Sequence, residues 1–405
     1  MQTAVTGIGV VAPNGVGIGE FWANTLDARS GITEIQRFDA SAYPLRTAGE
    51  VNDFEPSRHL PGRLIPQTDR MTQMALAAAD WALTDAAVDT SRADPLTMGV
   101  VTANAAGGFE FGQRELENLW ARGPEHVSAY QSFAWFYAVN TGQISIRHGL
   151  RGPTGVLVAE QAGGLDAIGH ARRHARHGVQ LVVTGGMEST LCPWGIAAQV
   201  PNGRLSDHDD PRRAYVPFDA EARGYVPGEG GAILIVEDAA KAWERGAPRV
   251  YGLIAGYRAT FDPRPGSPRP YRVEEAIRGA LADADLAPGD IDLVFADAAG
   301  VPELDRAEAA ALAAVFGPCA VPVTAPKTMF GRLNGGGAAL DAAMALLAIR
   351  DGLAPPTVNV GALAEGCEID LVRETRRMPV RAALVVARGY GGFNSAMVLT
   401  AQPPG

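Results

Sequence analysis

The sequence predicts an α/β fold, with helices packed against mostly buried sheets. Three observations carry the prediction. Short β-branched runs alternate with alanine-rich segments along the chain. Several of those runs are apolar without alternation, as strands covered on both faces are. The chain has 405 residues, 47% hydrophobic and 20% charged, enough for two core-bearing domains or one large duplicated fold.

Taken in order, strands are expected at 3–11, 155–159, 180–184, 231–236, 292–296 and 382–387. Helices are expected at 71–87, 162–177, 273–285, 307–316 and 336–350. In the last, Leu340, Met344 and Leu347 share one face at i, i+4 and i+7. Two stretches rich in Gly, Pro and charge, 201–230 and 260–270, read as ordered surface loops or a hinge. The second lies near a plausible boundary, dividing the chain into halves 1–255 and 256–405. No short repeat or low-complexity tract interrupts either half.

Formal net charge is -10. An acidic surface of that size argues against bulk nucleic-acid or anionic-membrane binding; it leaves room for a local basic patch, which an acidic partner would need. The three cysteines are scattered, with no metal-binding spacing, which suits a reducing cytoplasm. The opening MQTAVTGIGVVAPNG lacks a basic stretch and breaks at Pro13, so it reads poorly as a signal peptide. Apolar runs such as 232–236 are far too short to span a membrane.

Each chemical motif has a plain alternative. Gly7, Gly9 and Ala12 match a dinucleotide fingerprint, but Pro13-Asn14-Gly15 follows where the fingerprint needs a helix. A tight strand-to-loop turn is the better reading, and no cofactor is expected. His170, His174 and His177 share a helix face, yet Arg172, Arg173 and Arg176 interleave and no acidic or thiol ligand joins them. A basic solvated face is expected rather than a metal site. Cys192 has no adjacent base and reads as a buried, inert thiol. The run 155–164, GVLVAEQAGG, reads as strand, sharp turn and helix start. A side chain in that turn sits over a helix N-terminus, where the dipole and free N–H groups favour developing negative charge. The occupant is Gln161, which cannot act as a nucleophile; alone, the segment is an ordinary βα turn.

Four segments together resemble the ketosynthase-type condensing enzymes. The turn at Gln161 resembles their nucleophile elbow, TACSSG, with Gln161 at the cysteine position. The run 294–308, VFADAAGVPELDRAE, resembles NAHGTxTxxxDxxE: Pro302, Asp305 and Glu308 keep its frame, and Asp297 stands at the first histidine. The run 326–337, PKTMFGRLNGGG, resembles KxxxGH, with Lys327 and Gly331 kept and Arg332 at the second histidine. The tail GYGGFNS at 389–395 resembles a GFGGxN loop. The resemblance implies a thiolase-like, duplicated α/β/α/β/α fold.

Decarboxylative condensation needs a thiolate to hold the acyl chain and two histidine N–H donors for the enolate and oxyanion. All seven histidines lie at or before His208, so the second half has none. The combination Gln161, Asp297 and Arg332 resembles the chain length factor, or ketosynthase beta subunit, of aromatic type II polyketide synthases. The resemblance implies a heterodimer with a catalytic ketosynthase alpha subunit. It implies an acyl carrier protein, met mainly through that partner, and a growing polyketide chain. Asp297 and Arg332 are expected to pair in the blocked pocket with Lys327 nearby. Gln161 is either a vestigial, well-packed residue or a donor in malonyl decarboxylation for priming.

In the segment 109–116, Phe109, Gly112 and Leu116 lie along one helix face. This is ordinary core packing, or, as the resemblance implies, the wall of a polyketide channel in which bulk stops elongation. Phe133 and Trp194 are further candidates for that wall, and the modest size of Gly112 and Leu116 leans towards a longer product. The expected function is to set chain length without catalysing condensation. A decarboxylase acting through Gln161, Lys327 and Asp297 and a purely structural scaffold are the alternatives.

Overall fold

The computed structural model describes residues 2–264 and 266–402. The first half supplies strands β1 (Thr3–Ala12), β2 (Met98–Ala103), β3 (Thr154–Leu157), β4 (Leu181–Glu188) and β5 (Gly230–Asp238). The second supplies β6 (Gly252–Phe261), β7 (Leu293–Phe295), β8 (Pro322–Thr324), β9 (Ala382–Gly389) and β10 (Phe393–Thr400). The principal helices are α1 (Arg70–Asp85), α2 (Phe109–Arg122), α3 (Val139–His148), α4 (Gly163–Arg176), α5 (Val273–Ala284), α6 (Pro302–Phe316) and α7 (Gly337–Asp351).

One strand order occurs twice. Outward from the centre the first half runs β1-β5-β4-β2-β3 and the second β6-β10-β9-β7-β8. The directions match as well: the first two pairings in each half are antiparallel and the last two parallel. The halves join through a short antiparallel contact, Ala4 opposite Leu253 and Val5 opposite Gly252.

Alternation along the strands sorts their side chains into layers. Val100, Val183, Ile233 and Ile235 face α1 in one outer core. Their neighbours Val101, Val182, Leu234 and Val236 face a central core built on α4 and α7. Leu293, Phe295, Val385 and Met397 close the central core from the other side. Val294, Leu384, Val386 and Val398 face α5 and α6 in a second outer core. The result is helix, sheet, helix, sheet, helix. The central α7 is buried along 337–348, which explains its lack of a polar face.

Gly7 and Gly9 serve packing rather than a nucleotide. A β-carbon on Gly7 would lie 2.1 Å from the Ala82 carbonyl oxygen, and one on Gly9 1.9 Å from that of Ala78, so bare backbone lets α1 press onto β1. The strand runs on to Ala12 instead of ending at the glycines.

Several expectations need correction. β2, β6, β8 and β10 have no counterpart among the expected strands; β6 mixes Arg258 and Thr260 into its partly exposed end, which breaks the apolar run. Helix α6 starts at Pro302, five residues before the expected start, because proline suits a first helical turn. The stretch 201–230 is not mainly surface: Ala214, Tyr215, Val216, Phe218, Tyr225 and Val226 are buried in it. The stretch 260–270 begins as the end of β6 and includes Pro265, which lies outside the described residues. Arg172 departs from the expected solvated face: it is buried and reaches Asp283 of α5 and the Ala255 carbonyl. Among the described residues no helix is long and apolar enough to cross a membrane.

Candidate functional site

β3 ends at Leu157 and α4 starts at Gly163, so 158–162 must turn sharply. The turn is held by Glu160 in the left-handed region, at φ 49°. Gln161, next in the chain, is buried, and among the described residues neither its amide nitrogen nor its amide oxygen has a hydrogen-bond partner. Its amide lies against the first residue of α7: a β-carbon on Gly337 would sit 2.2 Å from Gln161 Nε2. The side chain is therefore wedged between the N-termini of α4 and α7.

Asp297 follows β7 and is fully buried. Arg332 Nη1 is 3.3 Å from both of its carboxylate oxygens, and the Arg388 N–H donates to Oδ1 at 2.9 Å. The other side of the guanidinium meets Glu160, with Nε 3.3 Å from Oε1 and Nη2 3.4 Å from Oε2. Nη2 also donates to the Arg388 carbonyl, and the guanidinium lies 5.5 Å from the centre of the Tyr225 ring. Burial works against the charge of Arg332, but Asp297 and Glu160 outweigh it and hold the group protonated. Lys327 is not part of this cluster. Its Nζ is 2.8 Å from Asp341 Oδ2 of α7 and donates to the Ala296 carbonyl, so it ties α7 to the end of β7.

The loop bearing Asp297 is fixed from α6. Glu308 accepts from the N–H groups of Asp297 and Ala298 at 2.7 and 2.8 Å, and Asp305 from those of Gly300 and Phe218 at 3.0 and 2.9 Å. Burial pushes Asp305 up to about 7 and raises Glu308 too. Above this cluster opens a cavity of about 260 Å³, lined among others by Glu160, Asp297, Arg332, Arg388, Tyr225 and Tyr390. Gln161 does not line it.

The expected channel wall lies elsewhere. The Phe109 and Trp194 ring centres are 4.7 Å apart. A β-carbon on Gly112 would approach Trp194 Cζ3 to 2.9 Å and Trp135 Cβ to 3.6 Å. Gly112 is small because Trp194 already fills its space. Leu116 is exposed, and Phe133 packs edge-on against Tyr130 rather than on Trp194.

The beta-ketoacyl synthase N-terminal domain family matches residues 2–242 and the C-terminal domain family residues 251–361. The chain belongs to the beta-ketoacyl synthase family. It is 64% identical over 397 residues to the tetracenomycin polyketide synthase ketoacyl synthase beta subunit of Streptomyces glaucescens, covering 98% of this chain and 97% of the relative. Among solved structures it resembles the ishigamide ketosynthase/chain length factor, with TM-score 0.89 and 29% identity over 99% of each chain. It also resembles a chain of AntDE:AntF, described as a type II polyketide acyl carrier protein in complex with its ketosynthase bound to the hexaketide. There the TM-score is 0.88 and identity 25% over 99% of each chain. The thiolase-like fold expected from the motifs is the fold of this beta-ketoacyl synthase family member.

For a member of this family the departures are concrete. The elbow presents an amide, and the two imidazole positions hold an ion pair. Sequence reasoning missed Glu160, Tyr225 and Arg388, which complete that pair, and Trp135, which joins the aromatic wall. The unusual glutamate beside Gln161 was the one available signal. Arg173 contacts His170, and among the described residues no group of three or more His, Cys, Asp or Glu could hold a metal ion. Cys192 is buried at the start of the short helix Pro193–Gln199, its thiol pushed up to about 11 by burial.

Proposed function

We propose that this chain is the chain length factor of a type II polyketide synthase, a non-catalytic subunit that pairs with a catalytic ketosynthase and sets the length of the polyketide. One observation carries the reading. Where condensation needs a thiolate and two imidazole donors, this chain has Gln161, Asp297 and Arg332, and the last two are locked together with Glu160. The partner supplies the nucleophile, and the acyl carrier protein delivers substrate mainly through the partner.

A partner-facing surface supports this. Among the described residues β3 pairs only with β2 and leaves its other edge open. Beside it Val158 is exposed, and Trp120, Trp135, Phe136 and Tyr137 are exposed around α2. Phe109, Gly112, Leu116 and Trp194 are our choice for the wall against which the growing chain stops, with Trp194 rather than Gly112 as its bulk. Phe133 is a weaker member of the same surface. We place the protein in the cytoplasm, consistent with three free cysteines. We divide it into two halves, as the recurrent strand order supports, but move the boundary from the expected 1–255 and 256–405 to before Gly252, because 255/256 falls inside β6.

A second reading, malonyl decarboxylation by this subunit, draws on the unpartnered amide of Gln161. Co-expression with a ketosynthase alpha subunit, gel filtration and product analysis separate the two. A one-to-one complex that makes polyketide when neither chain does so alone supports the length factor. Release of carbon dioxide from malonyl carrier protein by this chain alone makes Gln161 catalytic. A complex whose products ignore changes in the wall leaves only a scaffold.

A further inference from the structure

The cavity above the ion cluster ends at Arg332, Glu160 and Asp297, while Gln161, one residue beyond Glu160, is out of reach. Three separate elements hold the guanidinium across that floor: the elbow through Glu160, the end of β7 through Asp297, and the end of β9 through the Arg388 carbonyl. The Tyr225 ring flanks it from the buried loop, whose Pro227 also bridges to Arg332 through the backbone. A side chain anchored on opposite sides cannot swing away without breaking two ion pairs at once. The elbow thus has a role that a nucleophile position does not require, namely to carry a carboxylate to Arg332.

We infer that Arg332 is a bolt across this subunit's own acyl entrance: with Glu160 and Asp297 as its sockets, it makes the cavity a dead end and seals Gln161 from any thioester arm that enters. The blocked state of the subunit therefore lies in Arg332 as much as in the loss of a thiol. This holds whether or not the chain sets product length. It also requires that decarboxylation at Gln161 by this route wait on the bolt opening.

The test uses the heterodimer with Gln161→Cys as a probe in the entrance. Cys319→Ser removes the exposed native thiol, and Cys192 and Cys367 are buried. Iodoacetamide labelling is followed peptide by peptide by mass spectrometry. With Arg332 present, Cys at 161 should label at least about tenfold more slowly than Cys319 does in the parent chain, and Arg332→Ala should raise its rate at least about tenfold. Because Arg332→Ala strands two carboxylates, the combination Glu160→Gln, Asp297→Asn and Arg332→Ala is run beside it, with the same acceleration expected. Glu160→Gln alone, the mildest change, should give a smaller acceleration. Rapid labelling with Arg332 in place, or no acceleration in whichever of these variants fold, overturns the inference.

Discussion

At the residue scale, the blocked site shows how three replacements can be mutually dependent. Asp297 is fully buried and has one cation beside it, so its charge is tolerable only while Arg332 stays. Arg332→Ala should cost about 3–5 kcal/mol in urea unfolding, and more than Arg332→Ala combined with Asp297→Asn. A cost under about 1 kcal/mol would mean that water reaches and solvates the pair. Gln161, Asp297 and Arg332 were legible because their neighbours Pro302, Asp305, Glu308, Lys327 and Gly331 keep a recognisable frame. Glu160 was not singled out: its only mark is that it stands where TACSSG has alanine, and what makes it important is Arg332, 172 residues farther on. Nor were Tyr225 and Arg388, which come from a loop and a strand end remote in the chain.

At the scale of elements, α2 is held in place at its start. Asp69 caps α1 through the Met71 N–H at 2.9 Å and also accepts from the Phe111 N–H of α2 at 2.8 Å, so one carboxylate sets two helices. Burial pushes Asp69 up to about 7. The folded state therefore binds its proton more tightly than the unfolded chain does. Its contribution is full below about pH 4 and is lost as the pH rises to about 7. Asp69→Asn should remove up to about 1.4 kcal/mol per pH unit of that slope between about pH 5 and pH 7, read from unfolding midpoints. An unchanged slope would assign it instead to Asp305, Glu308 or Glu188, the last a fully buried carboxyl at the end of β4 that burial also pushes up to about 7. The same helix carries the wall. Gly112→Phe must displace Trp194, and its products should be shorter by at least one elongation step in chromatography of the heterodimer. Unchanged products would leave Phe109 and Gly112 as packing against Trp194 and Leu116 as plain surface. The periodicity of α2 was readable; that Trp194 fills the notch at Gly112 was not, since 82 residues separate the two.

For the whole molecule, fold class followed from buried strands and alanine-rich helices, while the duplication followed from the four ketosynthase-like segments and not from periodicity. The halves share strand order and pairing direction, and β2, β6, β8 and β10, which complete the pattern, are short or carry polar residues. That architecture leaves the two ends of the sheet unequal. At one end the Asp370–Leu371 strand covers β8; at the other, β3 has an open edge with Val158 beside it and the exposed Trp120 farther along the same half. An open edge next to exposed apolar side chains is costly in an isolated chain, and pairing with another subunit offsets that cost. Val158→Asp places charge beside the edge and Trp120→Glu on the exposed side of α2, neither touching a core. Each should leave the unfolding midpoint of the separate chain within about 0.5 kcal/mol of the parent. If the partner sits on this edge, each should also weaken the complex at least about tenfold by titration calorimetry, because a buried unpaired charge costs more than the 1.4 kcal/mol a factor of ten represents. Undiminished affinity in both variants would move the partner to another face and detach the channel wall from the subunit interface.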